Sequence, residues 1–210
     1  MAALSRTPTA PRPGTPQGTG LRERKKLRTR TAIRQATFRL ISERGYDATT
    51  VEQIAEAADV SPSTVLRYFG TKEDIVLADE YALAMAAELR KRPAGEPPLD
   101  SLRSVLTEAL PTVLGIDDEE LRRRTRLMVE VPAVRARMTE TLSDTAKILA
   151  RVVADRIGRG PDDLEVRVFI AAVLGALREV TLYWGEHGQE GDLAALINRA
   201  LDALEGGLTL

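Results

Sequence analysis

Thr49 to Asp74 reads TTVEQIAEAADVSPSTVLRYFGTKED, two short apolar-periodic runs with almost nothing between them. Val51, Ile54, Ala55 and Ala58 fall at i, i+3, i+4 and i+7, one stripe of a helix. Thr50, with Gln53 three residues on, has the spacing of a capping box and marks where that helix starts. A second run begins within four residues of Ala58. Ser61 is its expected N-cap and Pro62 takes N1, where a missing N–H does no harm. Thr71 and Asp74, as N-cap and N3, open a further helix expected to run to about Arg92. Two short helices hinged at Asp59-Val60-Ser61 read as a helix-turn-helix. Asp59 takes the turn position that needs left-handed backbone, Val60 plugs the angle, and Ala55 is small enough to let the helices cross. Such a unit exposes its second helix for the major groove of DNA.

Outward from this unit the chain stays helical. Ile33, Ala36, Thr37, Leu40 and Ile41 share one face of a helix expected over Leu21–Arg44, and Gly45 supplies its stop. Residues 1–20 are rich in Pro, Gly, Thr and Ala without a periodic face, and are expected to be disordered. The breaker cluster Arg92–Pro98 precedes helices expected over Leu99–Leu114, Asp118–Glu130, Val134–Ile157, Asp162–Gly185 and Asp192–Gly206. Breaks are expected at Gly115, Pro132, Gly158 to Pro161 and Gly185 to Gly191, with Pro111 kinking or ending the first of these helices early. No strand pattern and no internal repeat appears, so the fold class is all-α.

Composition narrows the function. Cysteine is absent, which removes disulfides, thiolate catalysis and Cys-based metal sites and fits a reducing cytoplasm, the expected location. The start of the chain does not read as a secretory signal. The longest uncharged apolar run, Val168–Leu177, is half the ~20 residues a membrane span needs, so no membrane partner is expected. Met1 to Lys72 carries 13 Lys/Arg against 6 Asp/Glu, whereas the remainder carries 17 against 25, so one end alone is built for an anionic partner. The single His187 lies in the Gly-rich WGEHGQEG, without a second His or a Cys to form a metal site or a nucleophile pair. An enzyme reading is poor, and neither metal nor cofactor is expected.

The basic first helix ending in ERGYDATTV, followed by IAEAADVS and RYFGTKEDIV, resembles the TetR family of one-component transcriptional regulators over about residues 27–77. Two positions depart from the family's usual pattern: Asp59 stands where Gly is common, and Leu66 where Tyr is frequent. The resemblance implies a three-helix DNA-binding domain over residues 21–70, and a helical regulatory and dimerisation domain over 71–210. It implies that Pro62, Ser63, Thr64, Arg67 and Tyr68 face DNA, with Arg67 the reader of guanine O6 and N7. Tyr68 is open to a second reading, as a core aromatic beside Phe69. Thr50 offers a hydroxyl to phosphate as well as a cap, and Lys72 grips another phosphate. Lys25, Lys26, Arg28 and Arg30 add unspecific attraction, since Glu23 is the only acid in that run.

For the body, the resemblance implies a homodimer in which the last two helices pair with their symmetry mates. The face expected there comprises Ala171, Ala172, Gly175, Leu193, Leu196, Ile197, Leu201 and Leu204. It also implies a cavity for a small apolar or amphipathic effector, with Met85, Leu102, Leu106, Leu127, Met128, Met138, Leu142, Phe169 and Val173 as candidate lining. The function expected is a repressor that releases a palindromic duplex operator when the effector binds. The rival is a DNA-binding regulator without a small-molecule ligand, controlled by a protein partner or constitutive. A membrane-surface protein using the basic first helix is a further alternative.

Overall fold

The computed structural model describes residues 18–77, 80–109 and 118–208. The described residues form helices α1 (Gly18–Arg44), α2 (Val51–Ala57), α3 (Pro62–Phe69), α4 (Lys72–Leu77), α5 (Glu80–Lys91), α6 (Pro98–Ser104), α7 (Asp118–Glu130), α8 (Pro132–Ile157), α9 (Leu164–Glu186) and α10 (Leu193–Glu205). A π-helical stretch, Val105–Ala109, continues α6. Among the described residues there is no strand. Nor, among them, is any helix long and apolar enough to cross a membrane.

Most boundaries follow from capping chemistry. Thr50 accepts from the Gln53 amide while Gln53 returns a bond to the Thr50 amide, closing the capping box of α2. Ser61 accepts from the Thr64 amide at the start of α3, with Pro62 at N1. Gly45, at φ +87°, donates to the Ile41 carbonyl and ends α1. In the body, Asp163 and Asp192 cap α9 and α10, and Pro132, expected only as a break, is the first residue of α8.

Three expectations need revision. The first helix begins at Gly18, so residues 18–20 join it, and the rest of the expected disordered tail lies outside the described residues. The helix expected from Thr71 to about Arg92 is described as α4 and α5, with 78–79 outside the description. The α-helix expected over Leu99–Leu114 gives way to π-helical winding from Val105, and the sites of Pro111 and Gly115 fall outside the described residues.

Buried apolar side chains gather in three clusters. The head cluster joins Ile33, Leu40, Ile54, Ala55, Val65, Phe69 and Ile75 from α1 to α4. The body cluster includes Leu89, Leu102, Val105, Leu149, Val153, Ile170, Val173 and Leu201, drawn from α5, α6 with its π-helical continuation, α8, α9 and α10. A third cluster lies between them: Phe38 of α1, Val76 and Leu77 of α4, Leu127 and Met128 of α7, Val134 and Met138 of α8. Helix α4 therefore packs in two directions at once. Ile75 belongs to the head and its next two residues to the joint.

This partition divides the expected effector lining. Met85, Leu102, Leu106 and Val173, with Leu142 and Phe169 beside them, lie in or against the body cluster, while Leu127, Met128 and Met138 belong to the joint. Helical spacing shows that a side chain is inward but not which core it joins. Two surface pockets open elsewhere. One, of about 430 Å³, is lined by Val129, Pro132, Arg135, Ala136, Thr139 and Arg178, and includes none of the nine. The other, of about 410 Å³, lies between α1 and α7 and likewise includes none of them.

Candidate nucleic-acid interface

The turn between α2 and α3 is made by two backbone hydrogen bonds and one left-handed residue. The Asp59 amide donates to the Glu56 carbonyl, the Val60 amide donates to Ala55, and Asp59 sits at φ +54°. Asp tolerates this left-handed region better than most residues do, so no glycine is required. Ala55 is buried and Val60 half-buried against the head cluster, which fixes how α3 leaves α2.

Helix α3 then has two faces. Val65 and Phe69 are buried inward, while Pro62, Ser63, Leu66 and Arg67 are exposed and Thr64 is half-exposed. At its entry the Ser61 hydroxyl lies 2.9 Å from both the Ser63 and the Thr64 hydroxyls. Arg67 reaches back to the Thr64 hydroxyl at 3.5 Å and lies 5.6 Å from the Tyr68 ring centre. Tyr68 is half-buried against the head cluster, so both readings of it describe part of the side chain. Thr50 is exposed at the α2 N-terminus, with its hydroxyl accepting from the Gln53 amide. Arg24, Lys25, Lys26 and Arg28 are exposed along α1.

Two cations expected to attract or grip DNA have partners within the chain. The Arg30 guanidinium donates to the Tyr68 carbonyl at 3.2 Å and lies 4.5 Å from the Phe69 ring centre, which ties α1 to the last turn of α3. The Lys72 ammonium donates to the Tyr46 and Thr49 carbonyls at 2.8 and 3.0 Å and stands 3.8 Å over the Tyr46 ring. Two of its three donors are thus engaged by the loop between α1 and α2. Arg30 thus braces α3 against α1, and Lys72 ties α4 to the α1–α2 loop.

Further connections bind this head to the body. The Thr71 amide donates to one Asp74 oxygen at 3.0 Å, and Arg137 of α8 donates from Nε to the other at 2.7 Å. Arg124 of α7 donates to the Leu77 carbonyl and stacks 4.0 Å from the Tyr81 ring centre. Helix α4 is thereby held at both ends by arginines of the body. The spacing of Thr71 and Asp74 shows the cap, but nothing local shows that Asp74 has a second partner 63 positions away. Behind α4, burial pushes the Tyr46 hydroxyl well above its ordinary pKa, and a hydrogen bond to Glu73 adds to that rise. Tyr46 thus remains a neutral donor. Burial opposes ionisation of Glu73, but hydrogen bonds from Tyr46 and from its own backbone amide hold that carboxyl below its usual value.

The expected pairing face is only partly available. Ala171, Ala172 and Gly175 are exposed on α9, and Leu164 and Val168 on the same helix are 70% and 57% exposed. On α10, Leu193, Leu196, Ile197 and Leu204 are half-buried, with Ile197 and Leu204 packed on the body cluster. Leu201 is fully buried inside its own chain and is withdrawn from the face. It shares a broad apolar stripe with its neighbours, and that stripe serves the chain's own core on one side. Among the described residues, no group of three or more His, Asp or Glu is placed to hold a metal ion.

Comparison with known proteins matches this arrangement at both ends. A family model described as "Bacterial regulatory proteins, tetR family" matches residues 33–78, and one described as "MftR C-terminal domain" matches residues 96–209. The HTH-type transcriptional regulator TcmR of Streptomyces glaucescens is 37% identical, over 90% of this chain and 88% of its own. The fatty acid degradation regulator FadR from Bacillus halodurans superposes with TM-score 0.56 at 25% identity, over 86% of this chain and 96% of its own. FadR from Bacillus subtilis, solved in complex with stearoyl-CoA, gives TM-score 0.54 at 26% identity, over 83% of this chain and 96% of its own.

Proposed function

The chain belongs to the TetR family of bacterial regulatory proteins and is a transcriptional regulator rather than an enzyme; on that premise we propose that it represses by holding a palindromic duplex operator, and lets go when a small apolar or amphipathic molecule enters the body. The observation that carries the DNA half is the outward face of α3. Pro62, Ser63 and Arg67 stand exposed on a helix whose opposite face is locked into the head by Val65 and Phe69. Arg67 is the base reader, its fork matching guanine O6 and N7. Thr50 and Arg28, with Lys25 and Lys26, meet phosphates, while Arg30 and Lys72 hold the geometry.

The exposed stripe of α9 supports a homodimer. Gly175 lies mid-helix, and among the described residues nothing beyond its own helix turn comes within 4 Å of where its Cβ would be. A glycine there costs about 1 kcal/mol against alanine, and no contact within the chain accounts for that choice. Close approach by the same helix of a second copy does, and it sets two α3 helices on successive turns of one duplex face.

For the effector, the B. subtilis relative's complex with stearoyl-CoA supports an amphipathic acyl compound. The Arg137–Asp74 pair and the Arg124 contact to the end of α4 are a route by which movement in the body repositions the head. The tight burial of Leu102, Val105 and Leu149 supports the second reading, a regulator that takes no such ligand.

Selecting sites from random duplex DNA tests the scheme. The expected product is a palindrome bound by the full chain, and Arg67→Ala should relax one guanine per half-site, with a ten- to hundredfold loss of affinity. Stearoyl-CoA should weaken that complex, and the operator should weaken stearoyl-CoA binding by the same factor. Binding of the acyl-CoA without coupling sinks the effector arm, and failure to select any duplex sinks the whole reading.

A further inference from the structure

The side chain at position 66 is not explained by the fold. Leu66 is 48% exposed on α3 and takes no part in the head cluster, whose α3 members are Val65 and Phe69 with Tyr68 beside them. Exposed leucines occur elsewhere in the chain, so exposure alone decides nothing. Its surroundings decide more. Leu66 lies one helical turn beyond Pro62 and Ser63 and next to Arg67, all three exposed. Pro62 and Leu66, four residues apart, make an apolar ridge along the outward face, and Ser63 and Arg67 make a polar ridge beside it.

We propose that Leu66 is a specificity-determining residue that reads the C5-methyl group of a thymine in each operator half-site, beside the guanine read by Arg67. In the major groove thymine alone among the four bases presents a methyl group, and an aliphatic side chain is its natural partner. Leucine has no donor or acceptor to offer a base edge or a phosphate, so its contribution in the groove is apolar contact. The polar ridge then supplies hydrogen bonds to guanine while the apolar ridge supplies shape and dry contact to thymine. The inference rests on the operator reading above and adds to it the chemistry of a second base.

Removing one methyl group from the DNA tests it. In the selected palindrome each thymine is replaced in turn by deoxyuridine, which keeps pairing and charge and deletes only the C5-methyl. Affinities are measured for the full-length wild type and for Leu66→Ala, whose exposed position leaves the head core untouched. One thymine per half-site is expected to lose about fourfold on methyl removal, and about fifteenfold when both half-sites are changed. Leu66→Ala should show the loss already on the unmodified operator and no further loss at that thymine, while its preference at the Arg67 guanine is retained. A palindrome with no methyl-sensitive thymine overturns this inference and leaves the operator reading standing. So does a sensitive thymine that stays sensitive in Leu66→Ala. A chain that selects no duplex overturns both.

Discussion

In the head, the N-terminal ends of α2, α3 and α4 are sealed by side chains a few positions away: Thr50 with Gln53, Ser61 with Thr64, Thr71 with Asp74. The C-terminal ends of α4, α5 and α7 are instead met by arginines from other helices. Arg124 reaches the Leu77 carbonyl and Arg135 the Met128 and Val129 carbonyls, while Arg156 reaches those of Leu89, Arg92 and Pro93. The first kind of closure survives any rearrangement that leaves the local chain intact. The second exists only while two helices stay packed. Helix starts are closed the first way, in the head and at α9 and α10 of the body alike, and the C-terminal ends of α4, α5 and α7 the second.

The largest expected effect breaks the packed side of this contrast. A Cβ added at Gly185 of α9 would stand 2.6 Å from Val129 Cγ2 and 3.0 Å from Thr125 Cγ2 of α7. Gly185→Val should therefore lower the stability of the folded chain by about 3 kcal/mol in a urea titration. Operator affinity of the molecules that remain folded should change little. An unchanged urea midpoint would show that α7 and α9 yield more easily than their contact suggests.

Removing one arginine comes next. Arg156 donates to three carbonyls and to the Ser101 hydroxyl at 2.7 to 3.1 Å. Arg156→Ala leaves those acceptors without their cation, and a loss of about 2 kcal/mol is expected by the same titration. The local caps should be worth less. Ser61→Ala should lose about 1 kcal/mol, and Ser61→Gly only a few tenths. If Ser61→Gly is as damaging as Ser61→Ala, the hydroxyl rather than the backbone shape governs the entry to α3.

The smallest effect concerns pH. Hydrogen bonds from Arg92 and then Ser101 hold the Glu96 carboxyl down, from the ordinary 4.5 to about 2. A depressed carboxyl stabilises the fold fully above pH 4.5, and the contribution is lost as pH falls from there through about 2. Glu96→Gln should be flatter than wild type across that window and less stable above it, as thermal melting at several pH values would report.

The same contrast sets how much could be read from the sequence. Head caps are visible because both partners lie within one turn, and Asp59 signals its left-handed turn by residue type alone. The turn, the exposed face of α3 and the basic α1 follow directly. Arg124, Arg137 and Arg156 give no comparable sign, since a charged residue in a helix reads as solvated unless its distant partner is known. The candidate effector lining divides between two cores for a related reason. Period 3.6 places Leu102 and Met138 inward, but only the crossing of α4 with α7 and α8 assigns one to the body and the other to the joint. Leu201 sits among residues that partly face outward and is itself fully enclosed. Lys72 and Arg30 carry the right charge in the right region, yet carbonyls of their own chain claim them first.

The Ser61 hydroxyl already bonds those of Ser63 and Thr64, and Arg67 reaches the latter at 3.5 Å. On the proposed reading, a duplex would meet a surface whose hydroxyls are already partly ordered, with less rotamer freedom left to lose on contact. Differences between one site and another should then appear in how long the complex lasts and hardly at all in how fast it forms.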